Sequence, residues 1–190
     1  MNDEKANNII NEVTMEVEKM LVKDRKCGSC SVCCVSLAID EPELKKKHAV
    51  PCTHLRPQGG CSIYADRPSL CKTWHCGWRM MPFMGPALRP DRSNLLVRFT
   101  GECWIFGDAD DQRESALMNN DTLNAMSALV SRNMKVSVSV PTKPGYCDAE
   151  HVINDDIMEA VKERSLSKVK EIIWTVICRC KVSATNPRKQ

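Results

Sequence analysis

Eight of the chain's twelve cysteines fall between Cys27 and Cys76, about a quarter of the 190 residues. They read Cys27-x2-Cys30-x2-Cys33-Cys34, followed by Cys52, Cys61, Cys71 and Cys76. Thiolates are soft ligands suited to zinc, copper(I) and iron–sulfur clusters. The N-terminal residues Met1 to Asn8 have neither the basic start nor the apolar run of a secretory signal, so the expected location is a reducing cytoplasm. Clustered thiols in that setting hold metal more often than they form disulfides.

Composition enters as a bound. A chain of 190 residues fits one domain, or one domain with a small metal-stapled module, and two apolar cores are not expected. No apolar run reaches the ~18 residues of a membrane span. A net charge of +3 and 5% aromatic residues give no ground for a nucleic-acid or membrane partner.

Residues 1–24 are expected to form an amphipathic helix, with Ile9, Ile10, Val13, Val17, Met20 and Leu21 on one stripe facing the domain or a protein partner. Residues 25–92 sustain no period, since Cys, Gly and Pro break every long element. Within them Val35 to Ile39 reads as a short strand and Asp40-Glu41-Pro42-Glu43-Leu44 as a helix start. Such a segment cannot bury enough apolar area to offset its chain entropy, and metal cross-links are a sufficient account of its order.

Residues 93–182 read as ordinary α+β protein. Asn94 to Phe99 and Cys103 to Phe106 form a hairpin. A helix through Leu117, Leu123, Met126, Leu129 and Val130 takes Asp121 as its cap. Val136 to Val140 alternates as a strand with one buried face. A last long helix runs from Asn154 to Cys180, and residues 183–190 form a loose tail. The expected fold class is therefore α+β: an irregular cysteine-rich metal-binding module packed on a small mixed sheet with flanking helices.

Three thiols at successive gaps of three, Cys27, Cys30 and Cys33, are spaced like a loop wrapping three corners of an iron–sulfur cubane. Only this group has the Cys-x2-Cys spacing of paired zinc ligands. Cys33 and Cys34 are adjacent and point apart, so they serve different centres or one is a spare. Eight thiols then make two four-sulfur sites of unassigned membership. Between Cys27 and Arg92 stand nine basic residues (Lys45, Lys46, Lys47, Arg56, Arg67, Lys72, Arg79, Arg89, Arg92) against five acidic ones (Asp40, Glu41, Glu43, Asp66, Asp91), an excess that bound thiolates would offset. Lys45 to Lys47 read as solvated surface, while Arg67 and Lys72 flank the later cysteines as supports for the ligands. His48, His54 and His75 are alternative ligands. Trp74 and Trp78 shield a site, and Met80, Met81 and Met84 read as packing before copper ligation. Cys103, Cys147, Cys178 and Cys180 are left outside the metal set.

The same cysteine order, together with Pro51-Cys52-x2-Leu55, Gly60-Cys61-Ser62-Ile63-Tyr64, Arg67-Pro68-x2-Cys71 and Trp74-x-Cys76, resembles the bacterial cysteine-cluster (CxxCxxCC) family of zinc- or iron-chelating domains. The resemblance covers about fifty residues and implies metal chelation by Cys27, Cys30, Cys33, Cys34, Cys52, Cys61, Cys71 and Cys76. A related cluster occurs in flagellin lysine methylases, where an iron–sulfur cluster and S-adenosylmethionine chemistry are implicated. This chain shows no glycine-rich nucleotide loop, so methylase activity is not carried over.

The expected function is metal binding by clustered thiolates that hold iron, as an iron–sulfur cluster, or Zn2+. The alternatives are an iron–sulfur-dependent enzyme or enzyme subunit, and a metal storage or delivery protein. Neither a Ser/His/Asp order nor His-Glu-x2-His is present to mark a catalytic residue.

Overall fold

A computed structural model describes residues 12–109 and 114–188. The chain divides into two compact units, Met1–Pro82 and Phe83–Gln190. Helices accompany a two-stranded and a four-stranded mixed sheet, an α+β fold. No helix among the described residues is long and apolar enough to cross a membrane.

The first unit begins with helix α1, residues 12–19. The expected helix continued to Asp24, but that residue has a left-handed backbone with φ 69° and the helix ends sooner. The part of the expected stripe carrying Ile9 and Ile10 lies outside the described residues. Val13, Met15 and Met20 are exposed.

Two further expectations are corrected in this unit. Val32–Ser36 is a helix, α2, where Val35 to Ile39 read as a strand. Five residues are too few for periodicity to decide between the two. Residues 40–44 do not start a helix: β1 (Ile39–Glu41) and β2 (Leu44–Lys46) pair antiparallel around Pro42 and Glu43, with Asp40 opposite Lys45. A two-residue connection suits such a pair, and its opposite charges meet at 3.5 Å. Short helices α3 (Ser69–Thr73) and α4 (Gly77–Met80) complete the unit. The apolar side chains buried here are Leu44 and Met81 alone among the described residues.

The second unit holds the apolar core. After α5 (Pro90–Ser93), β3 (Leu95–Phe99) and β4 (Cys103–Asp108) form the expected hairpin. Gly101 supplies the turn's left-handed residue at φ 90°. The facing Phe99 and Trp104 rings stack with centroids 4.5 Å apart. Strand β5 (Lys135–Val140) lies parallel to β4, and β6 (Ala149–Val152) runs antiparallel to β5, giving the order β3-β4-β5-β6.

The expectation of one buried face on β5 fails, because Val136 to Val140 are buried throughout. An interior strand in a parallel pairing is covered on both sides. Its two serines are satisfied within that covering. The Ser137 Oγ lies 3.2 Å from the Cys103 Sγ, and the Ser139 hydroxyl donates to Asp148 at 2.9 Å.

Helix α6 (Asn120–Val130) crosses between β4 and β5 and buries Leu123, Met126, Leu129 and Val130. Its cap is Asn119, two residues before the expected Asp121, whose N–H donates to the Asn119 side chain at 2.8 Å. The single last helix is two. Arg164, at φ 55°, breaks it into α7 (Asn154–Lys162) and α8 (Leu166–Lys181), and Ser165 caps the second by accepting from the Lys168 N–H at 3.4 Å. Of the apolar residues expected on the inner side of that helix, Ile157, Val169, Ile173 and Val176 are buried, while Val161 and Ile172 are half-buried. Residues 183–188 are tied down where a loose tail was expected. The Cys147 N–H donates to Asn186 O at 2.8 Å, the Arg188 N–H to Gly145 O at 2.8 Å, and the Arg188 guanidinium meets Asp148 at 2.6 Å.

Phe106, fully buried on β4, sets a test of this core. Phe106→Ala should lower the stability of the second unit by about 3–5 kcal/mol in urea unfolding followed by circular dichroism.

Candidate metal centre

All eight expected ligands lie in the first unit, each half-buried, and none of the twelve cysteines is in a disulfide. The local folding differs for each. Cys27 and Cys30 close a turn, the Cys30 N–H donating to Cys27 O at 2.9 Å. Cys33 and Cys34 sit side by side on α2. Cys52 reaches α2 directly, its N–H donating to Cys34 O at 2.9 Å. Cys61 bridges Leu55, and the Ser62 N–H donates to His54 O at 2.8 Å, so a loop carries Cys61 back toward Cys52. Cys71 is on α3, and Cys76 precedes the first turn of α4.

The thiols influence one another unequally. The Cys33 thiol donates to the Cys34 sulfur, which holds the Cys33 proton far above the usual thiol range and draws Cys34 down to about 7 against the opposing effect of burial. Burial first, then the backbone N–H of Arg79 in the opposite sense and the charges of Cys27 and Cys30, leave Cys76 raised to about 11. Burial raises Cys71 as well, with added repulsion from Cys34, Cys52 and Cys61.

Positive charge is buried beside these sulfurs. Lys46, expected at the surface, is 8% exposed. Its ammonium donates to the carbonyls of Val35 at 2.7 Å, Val50 at 2.8 Å and Lys47 at 3.1 Å. Alternation in β2 turns Lys46 inward and Lys45 outward. Burial lowers its affinity for the proton, and the sulfurs of Cys52, Cys34 and Cys33 restore part of it. Arg25 spreads its guanidinium over the carbonyls of Trp78, Met81 at 3.0 Å and Pro82 at 3.1 Å, and it stacks on the Trp78 ring at 4.9 Å. Arg79 is 8% exposed. Neither Lys46 nor Arg79 pairs with a carboxylate among the described residues, so each buried cation calls for another source of negative charge.

Of the alternative ligands, His75 is buried, its Nε2 has no partner, and burial together with Arg79 and Arg67 depresses it to about 4. His48 and His54 are half-buried. Trp74 and Trp78 are half-buried too, and Met81 is packed at 3% exposure. Arg67 lies over the Tyr64 ring at 4.2 Å and lowers Cys71. Cys103, Cys147, Cys178 and Cys180 belong to the second unit, where the α8 pair splits into an exposed Cys178 and a buried Cys180.

Two residue types carried more than their sequence signal. Lys46 looked like one of three solvated lysines. Gly59 and Gly60 form a left-handed pair at φ 85° and 80°, and a Cβ on either would stand 2.3 Å from Ser29 O or 2.5 Å from Gly28 O. The Gly60 N–H also donates to Ser31 Oγ at 3.1 Å. These glycines let the loop before Cys61 lie against the Cys27–Cys30 turn.

The donor set fits a soft metal by its chemistry: eight thiols, partly buried, in a unit where Lys46 and Arg79 pair with no carboxylate among the described residues. No group of three or more His, Cys, Asp or Glu side chains among the described residues is arranged to hold a metal ion as it stands. The thiols share a unit without being gathered to coordination distance.

Gly59→Ala should destabilise the first unit by more than about 1 kcal/mol, because the new methyl meets backbone and the left-handed conformation penalises it. Lys46→Met should cost about 1–3 kcal/mol by stranding three carbonyls. Limited proteolysis between residues 27 and 61 reads both, with cleavage accelerated in each variant. Comparison of the chain with protein-family models, curated proteins and solved structures found no match in any of the three.

Proposed function

We propose that this chain is a metal-binding protein whose first unit uses clustered cysteine thiolates to hold iron, in an iron–sulfur cluster, or zinc. The observation that carries this reading is an imbalance. Among its described residues the unit buries Leu44 and Met81 as apolar side chains, yet it orders eight half-buried thiols and the cations Lys46 and Arg79. Hydrophobic burial at ~25 cal/mol per Å2 cannot order so many residues from two such side chains. Metal–thiolate bonds supply both the missing cross-links and the missing negative charge.

Cys27, Cys30, Cys33, Cys34, Cys52, Cys61, Cys71 and Cys76 are the proposed ligands. Lys46 and Arg25 hold the carbonyls of the ligand loops and leave their positive charge beside the sulfurs. Bound iron–sulfur would supply one-electron chemistry and zinc a structural staple. A reducing cytoplasm suits twelve cysteines without a disulfide. A protein partner would meet the exposed Val13 and Met15 of α1.

Anaerobic purification followed by elemental analysis and visible absorption tests the proposal. Iron with sulfide and a thiolate-to-iron charge-transfer band is the expected result; a colourless zinc protein keeps the site and replaces the metal. A folded chain that takes up neither iron nor zinc overturns it.

A further inference from the structure

We propose that the eight thiols serve two separate centres of four, Cys27, Cys30, Cys33 and Cys76 at one and Cys34, Cys52, Cys61 and Cys71 at the other, joined by the Cys33–Cys34 peptide bond. This assignment rests on the metal-binding reading and adds to it which sulfur goes where.

Most ties in the unit fall within one set or the other, and the contact of the Gly59–Gly60 loop with the Cys27–Cys30 turn is where the two sets adjoin. For the first set, the Val22 N–H donates to Arg79 O at 2.7 Å, and Arg25 grips the carbonyls of Trp78, Met81 and Pro82. These bonds fasten the chain just before Cys27 to the chain just after Cys76. The Cys27–Cys30 turn then leads within two residues into α2, whose first turn presents Cys33.

For the second set, Cys52 bonds to Cys34 through the backbone, and the Leu55–Cys61 bridge returns Cys61 to the neighbourhood of Cys52. Lys46 ties Val35 to Val50, the residues that follow Cys34 and precede Cys52. The Glu43 carboxylate, on the same hairpin as Lys46, accepts from the Ser69 N–H at 2.8 Å and so fixes the start of the helix that carries Cys71.

Successive helix positions are about 100° apart, so Cys33 and Cys34 on α2, whose thiols interact with one another, can each turn to a different set on binding metal. Cations accompany both sets: Arg25 holds the carbonyls of Met81 and Pro82 after Cys76, and Lys46 holds those of Val35 and Val50 beside Cys34 and Cys52. Four thiolates on one divalent ion leave a net negative charge that such a cation offsets.

The test is metal content of the anaerobically purified full chain and its variants, paired with mass-spectrometric mapping of cysteine alkylation. Cys30→Ser and the double variant Cys30→Ser/Cys76→Ser should each retain about half the wild-type metal. Cys61→Ser and Cys61→Ser/Cys71→Ser should retain the other half, and Cys30→Ser/Cys61→Ser should retain none. In Cys30→Ser, alkylation should reach Cys27, Cys33 and Cys76 while Cys34, Cys52, Cys61 and Cys71 stay protected. A single substitution that empties the chain, or that exposes all seven remaining thiols, overturns the two-centre assignment. So does a second loss of metal on going from Cys30→Ser to Cys30→Ser/Cys76→Ser. Wild-type protein without metal overturns the underlying proposal instead, which keeps the two failures distinct.

Discussion

Positive charge held out of water beside sulfur is the constraint on which the first unit depends. An ammonium such as that of Lys46, enclosed by three carbonyls, has its hydrogen bonds but not its counter-charge. Carbonyl dipoles satisfy geometry, whereas a compensating anion has to come from nearby ionisable groups. The neighbours present are Cys34 and Cys52, and Cys34 is already drawn toward the thiolate by the Cys33 proton. Lysine, sulfur and loop backbone thus form one arrangement in which each part makes the others tolerable.

The two units obey different rules of stability. In the second, Phe106, Leu123, Met126, Ile157 and Ile173 are fully buried against a four-stranded sheet, and hydrophobic burial is sufficient to account for order. In the first, short helices and a two-stranded hairpin are joined by turns, and side-chain grips on carbonyls take the place of a core. Arg25, Lys46 and Glu43 each connect segments distant in sequence through polar bonds. Polar ties of this kind fix geometry well but contribute little net free energy one by one.

Sequence made the second unit legible wherever the signal was local. The β3–β4 hairpin, the α6 helix and the inward faces of α7 and α8 all follow from neighbouring residues. What escaped was set at long range or by single residues. β6 is too short and too polar to announce itself, and only its pairing with β5 makes it a strand. Arg164 carries no sequence mark of a left-handed break, since nothing but the need to turn α8 back against α6 and α7 puts it there. In the first unit the cysteine spacing located the candidate ligands, but the inward turn of Lys46 depended on a hairpin that Pro42 and the neighbouring acidic residues disguised as a helix start.

The parallel pairing of β4 with β5 governs the order in which this protein comes into being. Its two strands are separated by α6, so the central contact of the sheet waits for a long stretch of chain to be made and folded back. Strand β6, which pairs with β5, and both closing helices come later still. By then residues 27–76 have already left the ribosome, which synthesises from the N-terminus at about 5–20 residues per second. For several seconds the nascent protein therefore offers the cell a thiol-rich segment while its hydrophobic half is unfinished, and that interval is when its thiols are most open to oxidation.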